Sequence, residues 1–204
     1  DVVQHGLDRE QVLKAGRTMA QSLQLDQRNS LIFREFADPG ASQGGDMADL
    51  VLMGLAIGYH SQSVAITPGA ALSLGAKPLQ LCGTEAQKRA HLPDLAAGRR
   101  MFVFGLSEPG RGSDAANPQV TARREGNRWI INGEKCWSTN AKWASHVVVH
   151  ALTDANRPHG RRSTCFIVPM DAPGVFYQEM SGKRVWTMSS TGSIMFENVS
   201  VPDD

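Results

Sequence analysis

Leucine almost disappears half-way along this chain. Residues 1–100 carry 14 Leu and 14 Ala, residues 101–204 carry 2 Leu and 8 Ala, while Val rises from 5 to 10 and all four Trp fall in the second half. Leu and Ala lose little side-chain entropy in helices, whereas β-branched and aromatic side chains suit a pleated, half-buried surface. The same chain must therefore build two kinds of structure in succession. The expectation is an α+β fold: an all-helical domain over residues 1–100, then an antiparallel β-barrel or sandwich domain over 101–204, with the boundary near Gly98–Met101. At 41% hydrophobic and 20% charged, the chain has the composition of a globular protein and not of a disordered one. Its longest apolar stretches, such as Leu50–Ile57, fall far short of the roughly 20 residues a bilayer span needs.

Within the helical half, Asp8-Arg9-Glu10-Gln11 has the capping-box pattern, and Val12, Leu13, Gly16, Met19, Ala20 and Leu23 follow at helical spacing. Asp46 can cap a run from Met47 to about His60 that is apolar nearly all round, which predicts a central, buried helix. Thr84-Glu85-Ala86-Gln87 is a second capping box, punctuated by Pro93 and Gly98. Beyond Met101 the period becomes two. Asn132-Gly133 favours the positive φ angles of a type I′ hairpin turn, and Glu125-Gly126-Asn127 joins a strand at Val120–Arg124 to the one beginning at Trp129, which predicts a three-stranded meander. Ser145–Leu152, Thr164–Val168 and Ile194–Val201 are further strands, and closure or sandwiching of the sheet would hide its edges.

Charge and cysteine usage exclude several functions. A formal net charge of +1 gives no bulk attraction for nucleic acid, and the pairs Arg99-Arg100, Arg123-Arg124, Arg161-Arg162 and Lys183-Arg184 are scattered. Cys82, Cys136 and Cys165 are odd in number and share no CxxC spacing, so neither a disulfide framework nor a zinc site is expected, and a reducing compartment is. Residues 1–7 lack the layout of a signal peptide, so the sequon at Asn198-Val199-Ser200 reads as chance. Gly110-Arg111-Gly112-Ser113-Asp114-Ala115 satisfies a dinucleotide fingerprint, but Asn117-Pro118 blocks the helix that fingerprint needs. His146 and His150 flank Val147-Val148-Val149, a strand, and no carboxylate completes a metal set.

Two segments carry chemistry. The first, Phe104-Gly105-Leu106-Ser107-Glu108-Pro109-Gly110-Arg111-Gly112-Ser113-Asp114, is a Gly/Pro-rich loop after a strand, with exposed backbone N–H groups and the hydroxyls of Ser107 and Ser113. The second, Asn132 to Asn140, ends a strand with the indole of Trp137 beside Ser138, Thr139 and Asn140. Backbone donors suit a phosphate or a heteroaromatic edge, and an aromatic plate beside hydroxyls suits a flat polar ring.

In this order and spacing the two segments resemble the signature of the acyl-CoA dehydrogenase family. The likeness extends to Gly83-Thr84-Glu85-Ala86-Gln87-Lys88 with Leu92-Pro93 before the β half, and to Phe196-Glu197-Asn198-Val199-Ser200-Val201-Pro202 at its close, covering roughly residues 83–202. The resemblance implies an FAD-dependent oxidoreductase of fatty acid metabolism that dehydrogenates an acyl-CoA thioester at its α,β bond. It implies flavin contacts at Phe104, Leu106 and Ser107, Trp137 packed on the isoalloxazine with Ser138 beside it, the Thr139 hydroxyl at N5, and Ser113 along the acyl-CoA path. Ser138, Arg111 and Gly192 depart from the family pattern, where Ile or Val, a small residue and Arg are usual.

The family's C-terminal helical domain would begin where this sequence stops, and that domain supplies the glutamate that removes the α-proton. No catalytic residue is therefore expected in this chain, and Glu108 belongs to the flavin loop. The implied assembly is a homo-oligomer, or a hetero-oligomer with a chain that supplies the missing helices, in the cytoplasm, or in the mitochondrial matrix if the source is eukaryotic. Two other readings are compatible with the residues: a non-catalytic member of the fold that binds nucleic acid or a protein partner, and a flavin oxidase or monooxygenase.

Overall fold

A computed structural model describes residues 47–158 and 160–203, with side chains from Val51 onward. The helix expected after Asp8 and the Asp46 cap lie outside the described residues. Helices α1 (Met47–His60) and α2 (Gln62–Ala70) come first, and the Ser61 hydroxyl caps α2 by accepting from Val64 N–H at 3.3 Å. The backbone then widens over Ala71–Ala76, where Lys77 N–H reaches back five residues to the Leu72 carbonyl, and tightens again into α3 (Lys77–Cys82). Helix α4 (Glu85–Ala96) starts on the expected capping box: Gln87 N–H donates to Thr84 Oγ1 at 3.2 Å, and Thr84 N–H donates to Gln87 Oε1 at 2.9 Å. It continues through Pro93 for one more turn and stops where Gly98 adopts a φ of 68°. The sequence predicts α1 to be buried, yet Val51, Leu52, Leu55 and Tyr59 are exposed. Among the described residues α1 packs chiefly on α2, and one neighbour cannot cover an all-round apolar helix.

Seven strands follow: β1 (Phe102–Gly105), β2 (Thr121–Glu125), β3 (Arg128–Thr139), β4 (His146–Leu152), β5 (Ser163–Pro169), β6 (Val175–Glu179) and β7 (Thr191–Pro202). They form one sheet in which β2, β3, β7 and β6 pair antiparallel in that order, and β5 pairs antiparallel with β4. The sheet is nevertheless mixed, a correction to the all-antiparallel expectation. β1 runs parallel to β4 along His146–Val149, and β2 meets β4 in parallel at Leu152. β1 enters from the helices and leaves into a connection that contains the whole β2–β3 hairpin, a crossover long enough for a parallel pair. Val168 of β5 shares a core with Ile194 and Phe196 of β7, strands that are not neighbours, so the sheet curls around its own apolar face. A second core lies in the seam between helices and sheet, where Leu79 and Leu92 pack on Phe102 and Val148. The helices come close here: a Cβ on Gly75 would lie 1.9 Å from the Phe102 carbonyl oxygen.

Asn132-Gly133 is not a hairpin turn. β3 runs straight through it, and the reversal is made by Gly126-Asn127, with Glu125 opposite Arg128 and Gly126 at a φ of 62°. Tertiary contact overrides the local turn preference, because Gly133 crosses so close to β2 that a Cβ would sit 3.0 Å from Val120. Asn132 meanwhile accepts Asn198 N–H at 2.8 Å, holding a bulge in β7 where Asn198 adopts a φ of 51°. The strand Val175–Glu179 has no counterpart among the sequence expectations.

Candidate functional site

β3 carries a second irregularity, and it makes the site. Lys135 opposes Ile194 and Ser138 opposes Gly192, so two residues, Cys136 and Trp137, face one on β7. Such a bulge re-aims a side chain. Trp137 takes a φ of 60°, uncommon for a bulky residue, and its indole stands 62% exposed. Beneath it opens a cavity of about 150 Å³. The end of β1 and its loop contribute Phe104, Leu106 and Ser107, the end of β3 contributes Trp137 and Thr139, and the helices supply Ala70 and Leu74 as the opposite wall. Both sequence segments thus reach one cavity. Sequence reasoning missed the helical wall, which no local signal marks.

Two of the expected residues are elsewhere. Ser138 alternates to the other side of β3, where it is buried and its hydroxyl has no hydrogen-bond partner among the described residues. Ser113 is exposed outside the cavity on a loop that Arg111 organises: Arg111 Nη1 donates to the Asn117 carbonyl at 2.8 Å and to Asp114 at 3.2 Å. No helix opens after Gly112, so the dinucleotide fingerprint is inert here. Asn140, with a φ of 69°, ties the site to the helices by donating to the Thr67 carbonyl at 2.9 Å. Gly192 is sterically required, because a Cβ there would lie 2.2 Å from the Gln178 carbonyl oxygen and 2.6 Å from the Tyr177 ring.

Under the site lies an ion pair. Lys135 is 0% exposed; its ammonium donates to Glu108 Oε1 at 2.8 Å and to the Leu106 carbonyl at 3.0 Å. Glu108 also accepts Val120 N–H at 2.9 Å and Gln119 N–H at 2.6 Å. Burial alone would raise the Glu108 carboxyl, but the bonds from Lys135, Val120 and Gln119 outweigh it and hold the group below its ordinary value. Burial pulls the Lys135 ammonium down, and Glu108 opposes that pull. The signal for Lys135 was in the sequence: it stands four residues from Ile131 on β3, on the face that points inward.

Beyond Trp137 a second cavity of about 290 Å³ shares Cys136 and Trp137 and is bordered by Gln178, Glu179 and Ser193. Glu179 is already engaged by the Tyr177 and Ser190 hydroxyls and by Thr191 N–H. Asp94 binds Arg99 and Arg100, Glu125 binds Arg123, and Asp203 binds Arg124. His150 bonds Ser163, and no group of three metal-ligating side chains occurs among the described residues.

Comparison with known proteins bears on this geometry. Residues 37–99 match the model of the acyl-CoA dehydrogenase N-terminal domain, and residues 103–199 match that of the acyl-CoA dehydrogenase middle domain. The chain belongs to the acyl-CoA dehydrogenase family. It is 40% identical over 167 residues to the probable acyl-CoA dehydrogenase YngJ of Bacillus subtilis, covering 82% of this chain and 44% of that protein. It is 38% identical over 147 residues to the human mitochondrial short-chain specific acyl-CoA dehydrogenase, covering 72% and 35%. The chain therefore spans less than half the length of these relatives. Among solved structures, the butyryl-CoA dehydrogenase of Megasphaera elsdenii superposes with a TM-score of 0.75 at 27% identity, covering 96% of this chain and 49% of that one. A glutaryl-CoA dehydrogenase of Mycobacterium smegmatis, solved with FADH2, gives 0.74 at 27% identity, covering 97% and 55%. No described helix is long and apolar enough to cross a membrane.

Proposed function

We propose that this chain supplies the flavin-binding part of an FAD-dependent acyl-CoA dehydrogenase, with a helical unit over residues 1–100 and a β unit over 101–204. The observation that carries the reading is the convergence of Phe104, Leu106, Ser107, Trp137 and Thr139, from two distant segments, on one cavity between sheet and helices. The residues suit the cofactor. Trp137 offers an exposed aromatic face, Thr139 a hydroxyl, and Ser107 a hydroxyl and a backbone N–H that makes no hydrogen bond within the described residues. At about 150 Å³ the cavity is smaller than the roughly 300–1,000 Å³ of complete ligand pockets, so it would receive one edge of the ring system, with Trp137 as a plate beside it.

FAD bound there would accept a hydride from an acyl-CoA thioester, as the names of the relatives and the FADH2 complex suggest. The chain's own residues would bind and orient it: Trp137 would offer its aromatic face, Thr139 and Ser107 would donate where charge develops, and Phe104 and Leu106 would keep the inner edge dry. Ser138, buried, and Ser113, exposed, do not line this cavity. The α-proton needs a base, and the carboxylates near the cavity are committed: Glu108 to Lys135 and two backbone donors, Glu179 to hydroxyls. On the family resemblance, the base would come from a C-terminal helical domain, continuous with this chain or in a partner subunit. The free cysteines Cys82, Cys136 and Cys165 accord with a reducing compartment, cytoplasmic or matrix.

Titration of the chain with FAD, followed by flavin fluorescence, tests the reading. Saturable quenching is expected, weakened about tenfold in Trp137→Ala, the size of one lost aromatic contact in a partly dry site. Absence of quenching, both with this chain alone and with a chain supplying the helices that relatives carry, would overturn it.

A further inference from the structure

Burying an ammonium is costly, and a neutral pair of similar shape often serves a core as well or better. The Lys135–Glu108 pair is nevertheless fully enclosed, and its partners show what it organises. Lys135 holds the Leu106 carbonyl, Cys136 N–H holds the Ser107 carbonyl at 2.8 Å, and Glu108 and Arg111 exchange backbone bonds of 2.9 and 3.0 Å. Glu108 in turn ties the loop to Gln119 and Val120 at the entrance of β2. Every carbonyl from Leu106 to Glu108 is thus engaged. In a trans peptide the C=O and N–H point in opposite directions. With the Leu106 carbonyl drawn to the Lys135 ammonium, the Ser107 N–H must point away from it. Ser107 lines the cavity, and its N–H has no partner within the described residues.

We infer that the Lys135–Glu108 pair is a positioning device: it locks the Leu106–Ser107 peptide with its N–H aimed into the cavity, as a preorganised donor for negative charge developing on a bound flavin. A donor fixed in advance needs no reorganisation when the charge appears. The ammonium also polarises the peptide it holds, which strengthens the N–H on the far side. Lys135 touches neither cofactor nor substrate and acts through the loop. The inference rests on the flavin reading above.

The test uses Lys135→Met/Glu108→Gln, which removes both charges so that neither is left buried without its counter-charge, with Glu108→Gln alone as a companion. Folding is read by circular dichroism and thermal unfolding. Binding is read as the Kd for FAD, the midpoint potential of the bound flavin, and the 15N shift of the Ser107 amide on FAD addition. The folded double variant is expected to bind oxidised FAD up to about tenfold more weakly, the worth of one hydrogen bond, with a more negative potential because the reduced ring loses a fixed donor, and with no Ser107 shift. Glu108→Gln alone leaves the buried Lys135 ammonium without its counter-charge, so it is expected to lower the unfolding midpoint more than the double variant does, while the folded fraction keeps the Lys135 bond to Leu106 and with it the Ser107 shift. A folded double variant with the parent's Kd, potential and Ser107 shift would sink the inference and leave the flavin reading intact. Failure of the parent itself to bind FAD would sink both.

Discussion

His146 sits on β4 with its ring stacked on Phe102 at 4.7 Å and its edge near His91 at 5.2 Å, inside the seam between helices and sheet. Burial, with the charges of His91 and Arg100 adding to it and Asp171 opposing, lowers its pKa to about 4. A histidine whose folded pKa is depressed resists protonation in the native state. As pH falls from 6.5 toward 4, the unfolded chain takes up the proton first and stability drops; as pH rises through that window, stability returns. His146→Phe keeps the stacked ring and removes the titration. Urea midpoints measured from pH 7 to pH 5 should slope less steeply in the variant, and an unchanged slope would show that His91 or another group carries the effect. Gly133 offers a second residue-level test. Its φ of 128° and the 3.0 Å approach to Val120 together predict that Gly133→Ala costs about 1–3 kcal/mol by chemical denaturation, and a neutral result would contradict that approach.

At the scale of elements, the clearest sequence signals were those whose cause is local. The Thr84 capping box needs only residues 84–87 and forms as the sequence predicts. Thr84→Ala should lower stability by about 1 kcal/mol in thermal unfolding, whereas Thr84→Asp should be nearly neutral. The strands at Thr121, His146, Ser163 and Thr191 begin within three residues of their expected starts, since alternation and β-branched content are read over a few residues. Asn132-Gly133 misled because a turn dipeptide states a preference of about a kilocalorie, which pairing along twelve residues of β3 overrides. β1's parallel pairing with β4 was invisible for the same reason, as its partner lies some forty residues away.

For the whole molecule, the decisive prediction concerns turnover. Among the described residues the buried carboxylate, Glu108, has both oxygens occupied, so it is not free to remove an α-proton. General-base catalysis contributes typically 10²–10⁴-fold, and an open flavin face adds water to the site. Stopped-flow mixing of this chain, loaded with FAD, with a panel of acyl-CoA thioesters should show no bleaching at rates ordinary for an enzyme. Bleaching should appear when the C-terminal helical domain that the family resemblance implies is supplied. Rapid bleaching by the chain alone would place the base within residues 1–204.

The sequence by itself determined that helices come before strands, the capping box and the two segments that identify the family. These follow from side-chain entropy, alternation and backbone donors, all of which act over a few residues. Tertiary structure decided the rest: which way Trp137 points, that Ser138 stays out of the cavity, that Ala70 and Leu74 wall it, and that Lys135 finds Glu108 and the Leu106 carbonyl as its partners. Each of these depends on a bulge, a close approach or an ion pair between residues far apart in the chain, and such contacts exist only once the sheet has curled and the helices have closed on it.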